Sequence, residues 1–443
     1  MYNNKKIFVL GMARSGYEVA KVLAKHNNQI LVTDQKEQDP KHVFELESLG
    51  VNIKITDNPI MLFDSSYDVL VKNPGIKYDH PVVKKAREMG IRVVNELEVA
   101  YSLLEEKPSI IGVTGSNGKT TTVTLIYEML KKEKENVYLC GNIGTPVCSL
   151  ISNIKKDDIM VIEVSDHQLC DVIDFKTDIS VLTNISETHI DFHDSYDRYK
   201  NMKMRIFNHH SSSDLSVLNM DNQESYDMTI NIPEKKYYFS KENKAKCYIE
   251  NNSIYYDDLE IIKLSNITLK GNHNYENIMA AIIVAKEYGI TNESIQSVLM
   301  EFKGVEHRIE YVKTLNNRKF YNDSKSTNNK ATITALSSFN EPIILLMGGL
   351  DRGIPFDDIS PYLTCVKKIN AFGETKEKVK EFALKNNIPC EIFDVMKSAV
   401  INAYDSSSKG DVILLSPACA SWDQYEKFED RGNDFKKIVE ELK

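Results

Sequence analysis

The 443 residues include 42% hydrophobic and 27% charged side chains but only 12 prolines and 19 glycines, which excludes a disordered, collagenous or low-complexity chain. At roughly 150 residues per domain the length allows about three domains, each with its own core. Lys and Arg number 55 against 64 Asp and Glu, a net charge of −9 that leaves no clustered positive field for a nucleic-acid backbone, although local basic pockets for small phosphorylated ligands stay open. The longest apolar runs, Ile343 to Met347 and Val412 to Leu415, fall far short of the roughly 18 residues that cross a bilayer. Near the start, Ile7 to Leu10 is cut off by Gly11 and Arg14, too soon for a signal peptide. Seven scattered cysteines without a Cys-x-x-Cys pair fit a reducing cytoplasm, so the expectation is a cytoplasmic protein with no nucleic-acid or membrane partner.

Ile7 to Leu10 reads as a first strand and Gly11 to Gly16 as a turn. Val19, Val22 and Leu23 mark one helix face, and Gln29 to Thr33 forms a second strand ending at Asp34. Runs at Val51 to Ile55, Val69 to Val71 and Ile91 to Val94 extend this βαβ pattern to about Glu98, and Glu105 to Pro108 has the composition of a linker. A new strand, Ser109 to Val113, opens onto a glycine-rich loop and a helix from about Lys119 to Lys132. Strands at Val137 to Leu139, Ile159 to Val164 and Ile179 to Thr183 continue the α/β pattern to about Gly304. Asn208 to Asp214, with His209, His210 and three serines, reads as a solvated loop. Beyond His307, strand candidates at Lys319 to Asn322, Ile343 to Met347, Lys368 to Phe372, Cys390 to Phe393 and Val412 to Leu415 alternate with helix-length segments. The pattern predicts three α/β domains, 1–106, 107–304 and 305–443, the outer two Rossmann-like and the middle one built like a P-loop ATPase.

Thr114-Gly115-Ser116-Asn117-Gly118-Lys119-Thr120-Thr121 carries the strongest chemical signal. It sits between a buried strand and a helix, where backbone N–H groups and the helix dipole favour phosphate oxygens. Lys119 is expected on the β and γ phosphates and Thr120 on a metal, although Val113 stands where a strict Walker A pattern has its first glycine. Glu163 ends an apolar strand, the place in a parallel sheet where ligands bind, and suits Mg²⁺; taken alone, a capping or surface acid fits as well. His189 and His193 are four apart, but Ile190 replaces the glutamate of His-Glu-x-x-His and no third ligand is evident, which argues against zinc. Lys203, read by itself, is a solvated helix residue. Gly11-Met12-Ala13-Arg14-Ser15-Gly16 with Asp34 mimics a dinucleotide fingerprint, but Ala13 replaces the glycine that lets backbone approach a pyrophosphate, which weakens an NAD reading.

These motifs, in this order, resemble the Mur ligases, which add amino acids to the peptidoglycan precursor. The resemblance spans essentially the whole chain. It extends through Gly141-Asn142-Ile143-Gly144, Gly271-Asn272-His273-Asn274 with Asn277, Glu306-His307-Arg308-Ile309-Glu310 and Asn322-Asp323-Ser324-Lys325-Ser326-Thr327-Asn328. Leu415 to Tyr425 with Phe428, Arg431 and Gly432 is most similar to the members that add D-glutamate. The resemblance implies an ATP-dependent amide ligase that joins D-glutamate to UDP-N-acetylmuramoyl-L-alanine through an acyl phosphate, acting as a monomer on small-molecule substrates. By position it implies ATP contacts from Gly115 to Thr121, Asn274, Arg308 and Asp323, with Lys119, His189, Lys203 and Arg308 catalytic. Two Mg²⁺ ions would be held by Thr120, Glu163, His189 and Lys203, the lysine as an N6-carbamate that turns a repelling cation into an oxygen ligand. The UDP substrate would meet Arg14, Ser15, Asp34, Asn73, Asn142, Ser165 and Gln168, and the amino acid Thr327, Arg352, Ser421 and Phe428.

The chain departs from many such relatives in reading Ser165-Asp166-His167-Gln168 where they have Ser-Ser-Phe-Gln. Thr188-His189-Ile190-Asp191 likewise replaces a run in which Asp precedes the histidine, Arg352 replaces a lysine and Trp422 a leucine. Binding of the reactants on different domains implies closure about a hinge near Gly304 to His307. Folylpolyglutamate-synthase-like ligation, a P-loop switch and an NAD oxidoreductase are the alternatives. The first domain with the Ser421 motif, the set Glu163, His189 and Lys203, and Ala13 respectively weigh against them.

Overall fold

The computed structural model describes residues 2–187, 190–269 and 271–443. Clusters of β-branched and other apolar residues at the expected places form three sheets. The first has five parallel strands in the order Asn52–Ile55, Gln29–Asp34, Lys6–Leu10, Val69–Lys72, Arg92–Val94. Its order reverses between Lys6–Leu10 and Val69–Lys72, so the ends of those two strands, at Gly11 and Asn73, open the crevice where such sheets bind ligands. Gly16 lies in the first turn of the helix Arg14–Ala24 that returns over this sheet, and a Cβ there would stand 2.0 Å from the Gly11 carbonyl oxygen, so no larger residue permits the close approach.

The second sheet has nine strands, in the order Leu259–Lys263, Ser253–Tyr256, Cys247–Glu250, Lys235–Ser240, Leu215–Asn219, Ile179–Leu182, Ser109–Thr114, Ile159–Glu163, Val137–Gly141. Six run parallel from Val137–Gly141 to Lys235–Ser240, and the expected strands among them appear within a residue or two of their predicted ends. Cys247–Glu250 also pairs in parallel, and the last two strands add an antiparallel meander that the sequence reading omits. The meander turns on Asn251-Asn252 and Asp257-Asp258, all four with positive φ, as two-residue hairpins require. Asn316-Asn317 makes the same turn between Glu310–Leu315, also omitted, and Arg318–Asn322 in the third sheet. That sheet runs Glu310–Leu315, Arg318–Asn322, Val412–Leu415, Ile343–Gly348, Val366–Phe372, Cys390–Phe393 and is parallel except at its first pair.

The first two sheets share one hydrophobic core. Val9, Val32 and Val71 of the first belong to the same buried cluster as Met160, Ile162 and Leu182 of the second and Tyr199 of the helix Tyr196–Met204, and together they form one compact unit ending at Phe302. Residues Lys303–Lys443 form the other unit, with cores on both faces of the third sheet. Polar groups stitch the first two sheets as well. Glu98, fully buried, accepts hydrogen bonds from the backbone N–H groups of Ile173, Asp174 and Phe175, and Glu96 accepts one from Cys148. Burial pushes the Glu96 carboxyl up to about 7. Lys72 and Asp171, with side chains 0% and 1% exposed, form an ion pair at 2.7 Å.

The 208–214 segment is less solvated than expected, because the His210 ring is buried between Thr177, Ser180 and Glu234. All seven cysteines are free thiols. Among the described residues no helix is long and apolar enough to cross a membrane.

A buried charge that loses its partner is penalised far more than the pair contributes. Lys72→Met, which leaves the buried Asp171 only the partly exposed Arg87 guanidinium at 3.3 Å, should therefore destabilise the first unit by about 3 kcal/mol in equilibrium urea unfolding; an unchanged midpoint would show that the Lys72 pair does not hold the two sheets together.

Candidate active site

The parallel strand Ser109–Thr114 ends in a loop that can exist only with glycine at two points. Gly115 has φ +145° and a Cβ there would lie 2.0 Å from the Thr183 hydroxyl; Gly118 has φ +82° and a Cβ would lie 2.2 Å from Asn277 Oδ1. Gly118 caps the helix Lys119–Lys131, whose free N–H groups and positive dipole end face the loop. The neighbouring strand end fixes the loop from the other side. Asn117 N–H donates to Asn184 Oδ1 at 3.0 Å, the Asn184 amide donates back to the Asn117 carbonyl at 3.1 Å, and Ser116 Oγ shares a 2.7 Å hydrogen bond with the buried Tyr199 hydroxyl. Lys119 Nζ lies across this loop, donating to the carbonyls of Gly115 and Ser116 at 2.8 and 2.9 Å.

One strand away, Glu163 ends Ile159–Glu163 with 1% exposure. Thr120 Oγ1 donates to its Oε2 at 2.7 Å and Asn142 Nδ2 to its Oε1 at 2.7 Å. The fold thus unites three residues read from separate motifs. Thr120 and Glu163 give a hydroxyl and a carboxylate at the phosphate end of the helix, the hard oxygen donors that Mg²⁺ takes beside a phosphate chain, so these residues fit that ion. Asn277 accepts a 3.2 Å hydrogen bond from Thr122 and contacts Asn274 at 3.5 Å, bringing the helix Asn272–Glu287 against the same loop.

Lys203 lies on the helix Tyr196–Met204 and, contrary to its reading in isolation, is 0% exposed. Burial, reinforced by the charge of Lys119, pulls its ammonium down to about 7 against the opposing pull of Asp166, whose Oδ1 is 3.4 Å from Nζ. A substantial neutral fraction near neutral pH is what reaction with CO₂ needs. His189 lies outside the described residues. Asp166 and His193, which the sequence reading gave no role at this site, are buried near Lys203; the signal was the polar pair Asp166-His167 shortly after a strand-ending glutamate.

The residues expected to meet the UDP substrate fall into two groups. Asn73 donates to Ser15 Oγ at 3.3 Å in the crevice of the first sheet, with Arg14 exposed nearby in sequence. Asp34 turns inward: Oδ2 accepts from Met12 N–H at 2.7 Å and Oδ1 from Lys36 N–H at 3.1 Å, so it braces the loop, which further weakens the NAD reading. Asn142 sits on Glu163. Ser165 and Gln168 form a reciprocal capping box that holds the short turn after that strand, and Asn95 of the first sheet's region donates to the Gln168 carbonyl.

In the second unit, the strand ends at Asn322, Gly348 and Leu415 gather the remaining candidates. Thr327 and Arg352 line one small cleft with Leu350, Phe356, Thr375 and Cys419. Arg352 stacks over Trp422, next to the buried Ser421, at 4.8 Å. Phe428 starts the helix Phe428–Glu441, and its carbonyl accepts from Ser324 Oγ at 2.7 Å. Asp323 is buried, accepts from Ser416 Oγ at 2.7 Å, and is pushed up to about 6 by desolvation; Arg308 is exposed. Arg431, missed as a structural element, is fully buried and ties these loops by donating to Ser324 Oγ and to the Ser324 and Cys419 carbonyls.

Residues 5–95 match the family model described as Mur ligase MurD-like, N-terminal domain. Residues 113–285 match the Mur ligase middle domain, and 307–419 match the Mur ligase, glutamate ligase domain. A relative from Geobacillus sp. (strain WCH70) named UDP-N-acetylmuramoylalanine--D-glutamate ligase is 45% identical over 447 residues, covering 100% of this chain and 99% of its own. One of the same name from Bacillus mycoides (strain KBAB4) is 43% identical, covering 100% and 98%. Among solved structures, UDP-N-acetylmuramate-alanine ligase MurC from Thermotoga maritima superposes with a TM-score of 0.58 at 18% identity, covering 99% of this chain and 100% of that one, a likeness of fold.

Gly118→Ala should reduce affinity for ATP more than tenfold by calorimetry, since left-handed strain of about 1–2 kcal/mol adds to the clash with Asn277. Gly289→Ala, at φ +75° with nothing within 4 Å of the new methyl, carries the same strain without the clash and should bind ATP normally. Equal binding by both variants would dissociate the loop from the nucleotide.

Proposed function

The chain belongs to the Mur ligase family, and from that premise we propose that it joins D-glutamate to UDP-N-acetylmuramoyl-L-alanine at the expense of ATP, in the cytoplasmic synthesis of the peptidoglycan precursor. The observation that carries this reading is end-to-end similarity, at 45% identity, to a relative named for that reaction. The glycine loop, Lys119 and the Thr120–Glu163 pair support its ATP half.

A carboxylate is a poor electrophile, so the alanyl carboxylate must be activated before an amine can displace oxygen from it. One carboxylate oxygen takes the γ-phosphoryl group of ATP, giving an acyl phosphate and ADP. The D-glutamate amine, having lost a proton, then attacks the carbonyl carbon; the C–N bond forms and phosphate leaves with the activated oxygen. Both reactants of the first step are anions, and holding them in line is an electrostatic task. Lys119, already centred in the loop, meets the phosphate oxygens, and Arg308 acts near the γ phosphate. Gly115 to Thr121 supply N–H groups at a helix N-terminus, with Asn274 and Asp323 as further nucleotide contacts.

Thr120 with Glu163, and His189 with Lys203 as its N6-carbamate, would hold one Mg²⁺ ion each, and the ions would supply positive charge against the phosphates. The buried, easily deprotonated amine of Lys203 favours its carbamate, while the Asp166 carboxylate beside it opposes a second negative charge, an opposition that the 2.7 Å hydrogen bond from His193 to Asp166 relieves.

Residues 1–106 carry the UDP moiety through Arg14, Ser15, Asp34 and Asn73, and residues 107–304 the nucleotide. Asn142, Ser165 and Gln168 line the path of the muramoyl-alanyl group. Residues 305–443 receive D-glutamate at Thr327, Arg352, Ser421 and Phe428, where a guanidinium and hydroxyls grip its carboxylates. The enzyme acts as a monomer.

Phosphate release should be measured with ATP, Mg²⁺ and UDP-N-acetylmuramoyl-L-alanine in the presence of D-glutamate, L-glutamate, meso-diaminopimelate or L-lysine. Release that depends on D-glutamate is expected. Release at the same rate with and without it would overturn the assignment.

A further inference from the structure

Directly after Glu163 the chain makes a short turn, Asp166–Leu169, whose first two residues are a carboxylate and an imidazole. A second imidazole arrives from a different segment, at the end of the helix Ile190–His193. The sequence spacing pairs His193 with His189 and finds no third ligand; the fold pairs it with Asp166 and His167.

We infer that Asp166, His167 and His193 form a binding site for one divalent transition-metal ion of the zinc, cobalt and nickel class. Their donor atoms lie within 4.8 Å of one another. Asp166 Oδ2 is 2.7 Å from His193 Nε2 and 3.8 Å from His167 Nε2. Ligands about 2.0–2.1 Å from a tetrahedral ion stand about 3.3 Å apart, so the two spacings bracket what the ion requires and small side-chain rotations suffice. Two nitrogens with a single carboxylate select this class over Mg²⁺, which demands oxygen.

The surroundings favour a held ion. The His167 and His193 rings are nearly parallel, 9° apart with centroids 5.9 Å from each other, and the Phe192 ring packs at 3.9 Å against His167. Asp166 and His193 are buried at 1% and 0%, whereas the His167 side chain is 26% exposed, which leaves an entry path and room for a non-protein ligand. Among the described residues, His193 Nδ1 is buried without a hydrogen-bond partner. A metal at Nε2 takes the place of the hydrogen bond to Asp166, and Nδ1 then carries the ring proton. The other Asp166 oxygen stays 3.4 Å from Lys203 Nζ, so a cation held on Asp166 also offsets the negative charge that a Lys203 carbamate brings beside it.

The test uses the full chain, stripped of metal with a chelator and kept in excess Mg²⁺ to fill oxygen-ligand sites, then titrated with Co²⁺ by visible absorption and with Zn²⁺ by calorimetry. One equivalent of each should bind, with tetrahedral cobalt bands. Affinity should fall at least tenfold in His167→Phe, which keeps an aromatic ring against Phe192 at a half-exposed position and so preserves the fold, and also in Asp166→Ser. Absence of saturable uptake overturns the site, as does uptake by both variants at the wild-type affinity, which would place the metal on thiols or other histidines. Because the readout is the metal alone, either result leaves the ligase reading untouched.

Discussion

A carboxylate sealed from water at the end of a parallel strand needs a partner for each oxygen, and Glu163 has one on either side, the Thr120 hydroxyl and the Asn142 amide. That arrangement depends on three separate strands ending at the same edge of the nine-stranded sheet. Ser109–Thr114 delivers the loop and, through its helix, Thr120; Ile159–Glu163 delivers the acid; Val137–Gly141 delivers Asn142. Gly141, at φ +102°, lets the third strand end close beside the second, since a Cβ there would stand 2.4 Å from the Glu163 carbonyl. Register, glycine placement and burial thus converge on a single carboxylate, and the chemistry of joining two anions follows from where it is held.

Rigidity around this point comes from the shared core of the first two sheets. A substrate with one end in the crevice at Gly11 and Asn73 and the other near Glu163 would be gripped by a single packed body, whose internal polar seams are Glu98 on three backbone amides, Glu96 on Cys148 and Lys72 on Asp171. Such buried polar contacts contribute modestly to stability, but each is costly to leave half made, so they fix one arrangement of the two sheets. Positioning within this unit is therefore built in rather than induced.

Legibility in the sequence followed the physics of each signal. Parallel strands buried on both faces read as continuous apolar runs, and Ile159 to Glu163 or Val412 to Leu415 were plain for that reason. The meander at 247–263 and the strand Glu310–Leu315 were missed because these strands alternate with polar and aromatic residues; the Asn-Asn and Asp-Asp turns were the available clue. In the site, Thr120, Glu163 and Asn142 were named from motifs, but that they touch is a property of sheet order, which local sequence does not encode. Lys203 illustrates the limit best: a lysine among Met202, Met204 and Arg205 reads as solvated, and only packing against Tyr199 and Asp166 makes it the buried amine it is. Asp166 and His193 lie 27 residues apart and are brought together by two short turns that no periodicity marks.

Diffraction from crystals grown with Mn²⁺ and a non-hydrolysable ATP analogue gives the most direct measurement, because the ion's anomalous signal locates it without reference to the surrounding atoms. The account predicts a peak bonded to oxygen from Thr120 or Glu163 and to a phosphate oxygen, with the triphosphate wrapped by residues 115–121. A triphosphate bound away from that loop, or manganese with no contact to either side chain, would contradict it.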